Sequence, residues 1–276
     1  MTHPTRSDRL PLQGRTALVT GVSRRAGIGF AIARRLAAAG ASVFAHHFVP
    51  HDIERPWGAD PGGIDAVLGE LRSALADPDA GVADAGCDLA DRGAPERLLA
   101  RAVAAFGHVD VLVCNHASSG PDAALGGLDA ELLDAHWAIN ARASLLLAQA
   151  FAEAHDGRPG GRIVLMTSGQ GLGPLPGEVA YAASKGALAA VTLTLADQLA
   201  DRAITVNCVN PGPVDSGWGT SGLLAAMADR MPAGRWGEPD DPARLIAWLV
   251  SDDGRWMTGQ VLNTEGGFRR WGGSGA

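Results

Sequence analysis

The sequence has one tyrosine, three cysteines, no cluster of basic residues and no long apolar run. Cys87, Cys114 and Cys208 cannot all pair, and their spacing matches no zinc pattern. Each sits in or beside an apolar, strand-like run. They read as buried thiols in a reducing cytoplasm, with no metal site. A formal charge of −7 without clustered Lys and Arg argues against nucleic acid as a partner, because phosphate binding needs such clusters. No stretch reaches the roughly 18 to 20 apolar residues that cross a bilayer, so no membrane span is expected. The N-terminus is polar and proline-containing with no apolar signal core, and residues 1–11 are expected to form a flexible tail.

What is present suffices for one large core. Hydrophobic residues make up 46% and charged residues 19%, as in a folded protein, and a single domain over residues 12–276 is expected. Runs of β-forming residues predict strands over 16–20, 42–46, 82–87, 109–115, 162–167, 204–209 and 260–263. Helical apolar spacing covers 28–39, 64–76, 94–106, 130–153, 181–200 and 242–250. This alternation predicts an α/β fold, a doubly wound parallel sheet of seven strands with helices on both faces. Two segments break the rhythm. Residues 48–63 hold three prolines and three glycines and predict a surface excursion after the second strand. Residues 213–238, with a short helical patch at 222–231, are long for a connection and predict a substrate lid.

The first strand runs into Thr20-Gly21-Val22-Ser23-Arg24-Arg25-Ala26-Gly27-Ile28-Gly29, and a helix follows at once. Glycines at such a junction let the backbone approach a pyrophosphate, and the helix N-terminus offers oriented N–H groups. Here the chain resembles the short-chain dehydrogenase/reductase family, whose usual signature is T-G-x-x-x-G-x-G. The longer turn resembles a subset of bacterial reductases with T-G-V-S-x-x-x-G-I-G, similar to 3-oxoacyl-carrier-protein reductases. The resemblance implies a Rossmann-type fold and a nicotinamide cofactor held by Gly21, Ser23, Arg24, Arg25, Gly27, Ile28 and Gly29. Which of the two arginines faces the phosphates stays open.

At the end of the second strand an acidic residue would bind a ribose 2′-OH and repel a 2′-phosphate. His47 stands there instead, close to Arg24 and Arg25, so NADP(H) is expected over NAD(H), which remains the second choice. The family resemblance adds Asp88 and Leu89 beside the adenine. It also adds Asn115, in Cys114-Asn115-His116-Ala117 where N-N-A-G is usual, and Pro211, Gly212 and Val214 near the nicotinamide. Cys114, His116 and Ala117 depart from that pattern, and no special role is assigned to His116.

Tyr181 and Lys185 stand four apart, so both project from one helical face. Tyrosine ionises near pH 10, and an ammonium one turn away favours tyrosinate, so the spacing predicts a lowered Tyr181 pKa. Tyr181 can then exchange a proton with a carbonyl or alcohol oxygen. Ser168, thirteen residues earlier, matches the family's serine that holds the reacting oxygen. Asn140 matches its fourth residue, thought to hold a water linking the lysine to solvent. Singly, Ser168 reads equally as a turn cap, Asn140 as a buried polar patch and Lys185 as a solvated charge. Together and in order they point to a catalytic set, and the resemblance also places Tyr181 and Lys185 among the cofactor-binding residues.

The expectation is an NADP(H)-preferring oxidoreductase acting on a small-molecule carbonyl or secondary alcohol. A 3-oxoacyl thioester, whose carrier protein would suit a basic docking patch drawn from Arg230, Arg235, Arg269 and Arg270, and a ketone of secondary metabolism or foreign origin are the two substrate readings. The alternative is a nucleotide-binding sensor or scaffold, in which the tyrosine or lysine is commonly lost; both are present here. Apolar residues of the 213–238 segment (Trp218, Leu223, Leu224, Met227, Met231 and Trp236) fit an apolar substrate or plain helix packing. The resemblance also implies a homo-oligomer, a tetramer or less often a dimer, joined through the last helices.

Overall fold

The computed structural model describes residues 9–271. Seven strands form one sheet: β1 (Thr16–Val19), β2 (Ser42–His47), β3 (Val82–Gly86), β4 (Val111–Cys114), β5 (Gly161–Met166), β6 (Ile204–Asn210) and β7 (Val261–Asn263). All neighbours are parallel, in the order β3-β2-β1-β4-β5-β6-β7. A parallel sheet covered on both faces needs strands that are apolar throughout, and β1, β4 and β5 are buried at every residue.

Alternation along a strand then feeds two cores. Ala17 and Val19 face one way, onto α1 (Ile28–Ala38), α3 (Gly63–Ser73) and α9 (Asp240–Val250), through Ile32, Leu36, Val67, Leu71, Ile246 and Leu249. Leu18 faces the other way, onto α4 (Ala94–Phe106), α6 (Ala143–Ala154) and α7 (Val179–Leu199), through Leu98, Leu147, Phe151 and Leu188. Each such side chain contributes about 1.5–3 kcal/mol by leaving water, and this tertiary burial holds the helices. Strand order reverses between β1 and β4, which opens a crevice over the C-terminal ends of these strands.

Every expected strand is present to within two residues at either end. Four expectations need correction. The helix expected over 130–153 is α5 (Ala130–His136), a π-helical stretch (Trp137–Arg142) and then α6. Residues 48–63 are no mere surface excursion. They carry the short helix α2 (Val49–Ile53) and fold back on the glycine turn, where Asp60 Oδ1 pairs with Arg25 at 2.7 Å and Asp52 Oδ1 with Arg24 at 3.1 Å. The tail expectation ends early: residues 1–8 lie outside the described residues, but Leu10 packs on Gly40, and Leu12 is buried with its N–H on Ala39 O. Finally, Val179–Arg202 is long and apolar enough to cross a membrane by length and composition. It carries Tyr181 and Lys185, and it buries Ala180, Ser184, Leu188, Thr192 and Ala196 on its inner side. It is a core helix of this fold.

Candidate active site

The glycine turn is shaped by contacts that leave no room for side chains. Gly21 has φ +75°, and a Cβ on Gly29 would stand 2.2 Å from the Gly21 carbonyl oxygen. The first turn of α1 therefore lies directly on the turn after β1. Asn115 locks this arrangement by donating from Nδ2 to Thr20 O at 3.0 Å and Gly21 O at 3.3 Å. α1 starts after Gly27 with no side-chain cap and no acidic residue in its first turn. Its free N–H groups and positive dipole end suit an anion such as a pyrophosphate.

Beside the turn lies a cavity of about 480 Å³, within the usual range for small-molecule sites. It is lined by Gly21, Ser23, Arg24, Gly27, Ile28, Gly29, Asp88, Leu89 and Asn115, all expected cofactor residues. Seven others lie outside its lining, Tyr181 and Lys185 among them. Arg25 turns away to Asp60 and, at 3.8 Å, to Glu70. His47 places Nε2 3.1 Å from Asp84 on β3. Pro211, Gly212 and Val214 follow β6, where Gly212 backs onto Glu265 and buried Val214 bridges to Gly237.

The cavity wall also contains residues that sequence reasoning passed over. His46, not His47, faces it; Nδ1 accepts from the Gly21 N–H at 3.3 Å and Nε2 donates to Cys87 O at 3.0 Å. Burial holds His46 down at about 4. His116 lies 2.7 Å from the Thr20 hydroxyl, donates to Ile139 O at 3.0 Å, and is pushed by burial to about 3. Both rings are structural neutral partners of the turn. Phe48, His51, Asp52, Glu54, Arg55 and Trp57 of the 48–63 segment also line the cavity. Arg24 joins three parts there: Nε meets Asp52, the guanidinium lies 5.5 Å from the Trp57 ring, and Nη2 donates to Ser216 O at 3.0 Å. The proline and glycine content signalled an irregular segment, but nothing in it signalled this wall.

The four expected catalytic residues come together beyond the ends of β4 and β5. Ser168 follows β5 and stands beside Tyr181, which lies in the first turn of α7. One turn on, fully buried Lys185 donates from Nζ to Met166 O at 3.0 Å and lies 5.9 Å from the Tyr181 ring centre. Asn140 is buried in the π-helical stretch. Its Oδ1 accepts from Ser118 N–H at 2.7 Å, and its Nδ2 donates to Ser118 O at 2.9 Å and Ser184 Oγ at 3.0 Å.

The spacing predicted a lowered Tyr181 pKa; the structure corrects this. Burial pushes the phenol up to about 12, against the lowering influence of the neighbouring Ser168 side chain. The ammonium is aimed at Met166 O instead of the phenol oxygen, and burial brings Lys185 down to about 8. Tyr181 is thus a proton-bearing group at neutral pH.

Comparison with known proteins bears on this geometry. A family model described as enoyl-(acyl carrier protein) reductase matches residues 63–269. The chain is 41% identical over 260 residues to the uncharacterized oxidoreductase YjdA of Bacillus subtilis, covering 94% of this chain and 98% of that protein. The chain belongs to the short-chain dehydrogenase/reductase family. Dehydrogenase/reductase SDR family member 4 of Homo sapiens is 33% identical over 268 residues, covering 95% of this chain and 90% of that protein. A short-chain dehydrogenase from Burkholderia cenocepacia, solved in complex with NADP, superposes with a TM-score of 0.79 at 35% identity, covering 93% and 98% of the two chains. This short-chain dehydrogenase/reductase is therefore an oxidoreductase that uses a nicotinamide cofactor, and its glycine turn, α1 N-terminus and cavity fit such a molecule.

Proposed function

We propose that this oxidoreductase reduces the carbonyl group of a small molecule, with NADP(H) preferred and NAD(H) a weaker substitute. The observation that carries the reading is Tyr181 standing beside Ser168, with fully buried Lys185 one turn further along the helix and 5.9 Å from the Tyr181 ring centre. The nicotinamide, when bound, supplies the hydride. Ser168 holds the reacting oxygen where negative charge develops, and Tyr181 delivers the proton to it. The buried phenol holds its proton at pH 7 and can donate it to the oxygen being reduced. Lys185, near 8, is mostly protonated at that pH and supports the tyrosinate left behind. Asn140 braces the start of α7 through Ser184.

Arg24 in the cavity wall supports the NADP(H) preference, since a guanidinium pairs readily with a phosphate. Residues 12–276 act as one domain, and the 213–238 segment acts as a substrate lid. There α8 (Ser221–Met227) and an edge-on pair of Trp218 and Trp236, 5.8 Å apart, offer apolar contact. A 3-oxoacyl thioester or another apolar ketone suits that surface. Exposed Trp248 on α9 and Val261 on β7 support a homo-oligomer, a tetramer or dimer, and three unpaired thiols suit the cytoplasm.

The test is fluorescence titration with NADPH and NADH, followed by NADPH oxidation over a panel of ketones and 3-oxoacyl thioesters. Tyr181→Phe is expected to lower kcat by at least about a hundredfold while leaving the NADPH Kd unchanged. Turnover within a few-fold of wild type in that variant would refute the proton-donor role. Binding of neither cofactor by folded protein would remove the whole reading.

A further inference from the structure

We infer that Asp122 and His136 are positioning residues that fix the Tyr181 ring from behind, an inference that rests on the proton-donor reading of Tyr181. A tyrosine in the first turn of a helix sits where helices fray. The N-cap residue of α7, Glu178, makes no side-chain cap. Asp122, from the loop after β4, takes its place. Its Oδ2 accepts from the Tyr181 N–H itself at 2.7 Å, and its Oδ1 accepts from Ala180 N–H at 3.1 Å and Ala123 N–H at 2.7 Å. Charge-assisted bonds at the positive end of a helix are the strong kind. Burial pushes the Asp122 carboxyl up, yet the three backbone donors together hold it below the usual range, so it stays charged.

His136, at the end of α5, completes the clamp. It is buried, donates from Nε2 to Pro121 O at 2.9 Å, and lies 3.8 Å from Asp122 Oδ2. Its ring meets the Tyr181 ring edge-on, with centres 6.2 Å apart and planes at 80°. Its Nδ1 is 3.5 Å from Asn140 Nδ2, which also donates to Ser184 Oγ; that hydroxyl in turn donates to Tyr181 O at 2.8 Å. The backbone N–H, the carbonyl and the ring of Tyr181 are thus each held by one connected group of residues. Neither Asp122 nor His136 touches the phenol oxygen. Both act through Tyr181, and a displacement of about 1 Å at a reacting group costs on the order of a hundredfold in rate.

The experiment compares Asp122→Asn, His136→Phe, His136→Gln and Tyr181→Phe, together with the Asp122→Asn/Tyr181→Phe double variant. It measures kcat, NADPH Kd and the number of NADPH sites per chain, at protein concentrations that resolve the residual turnover of Tyr181→Phe. We expect kcat to fall about tenfold or more in Asp122→Asn and His136→Phe, with unchanged Kd and a full complement of sites. His136→Gln, which keeps a donor for Pro121 O, should recover part of the loss. Because Asp122 acts through the tyrosine, its removal should cost nothing further once Tyr181 is phenylalanine. Turnover within about twofold of wild type in both single variants, or a loss fully additive with Tyr181→Phe, would overturn the inference. Undiminished activity of Tyr181→Phe itself would instead overturn the proton-donor reading.

Discussion

Gly29→Ala sets helix propensity against packing, and the two predict opposite signs. Alanine in place of glycine inside a helix is worth up to about 1 kcal/mol of added stability. In α1, however, the new Cβ would stand 2.2 Å from Gly21 O, 2.5 Å from Asn115 Nδ2 and 2.9 Å from Gly21 C. Two of these atoms are backbone and cannot swing aside. The first turn of α1 must then retreat by roughly 1 Å, an overpacking strain of about 1–3 kcal/mol. The retreat also loosens the Asn115 bonds to Thr20 O and Gly21 O, each worth about 1 kcal/mol. After subtracting the propensity gain, the net loss is about 1–4 kcal/mol. Urea unfolding followed by tryptophan fluorescence measures it through the midpoint at constant slope. Gly69→Ala in α3 is the control, since nothing lies within 4 Å of the added Cβ, and it should gain about 0.5–1 kcal/mol. A midpoint that rises in Gly29→Ala as it does in the control would refute the close seating of α1 on the turn.

Two further outcomes follow from the electrostatics. His46 and His116 are held neutral near 4 and 3, so below pH 6.5 the unfolded chain binds protons that the native one does not. Stability should fall by about 2 kcal/mol per histidine between pH 7 and 5, and a urea midpoint that stays flat over that range would refute their neutral burial. Asp52→Asn removes the carboxylate that partly neutralises Arg24, so the NADPH Kd should drop several-fold while the NADH Kd moves by less than about twofold. Equal changes for both cofactors would show that Arg24 does not meet the 2′-phosphate.

Much of the fold was legible because a sheet buried on both faces demands unbroken apolar strands, as β1, β4 and β5 supply. Helical spacing put Tyr181 and Lys185 on one face and the family resemblance added Ser168 and Asn140; in the fold the four stand close together. Direction was not legible. Spacing puts Lys185 on the Tyr181 face of α7, but the ammonium turns to Met166 O, and burial then governs the phenol. The π-helical stretch was hidden for a related reason, because a one-residue shift of backbone hydrogen bonding leaves the apolar pattern of 130–153 nearly unchanged. Asp122 was hidden by distance, since it caps a helix that begins 57 residues later.

Charge availability is the part a sequence conveys least. Arg24 and Arg25 read as two free cations beside a phosphate site. In the fold Arg25 belongs to Asp60 and Glu70, and Arg24 divides itself among Asp52, the Trp57 face and Ser216 O. Any attraction for a 2′-phosphate must therefore act through a guanidinium already facing a carboxylate, which reduces its net charge and the preference it can impose. The same guanidinium ties the 48–63 segment to Ser216 of the 213–238 segment. A group that drew Arg24 out of this position would break its bonds to both segments at once.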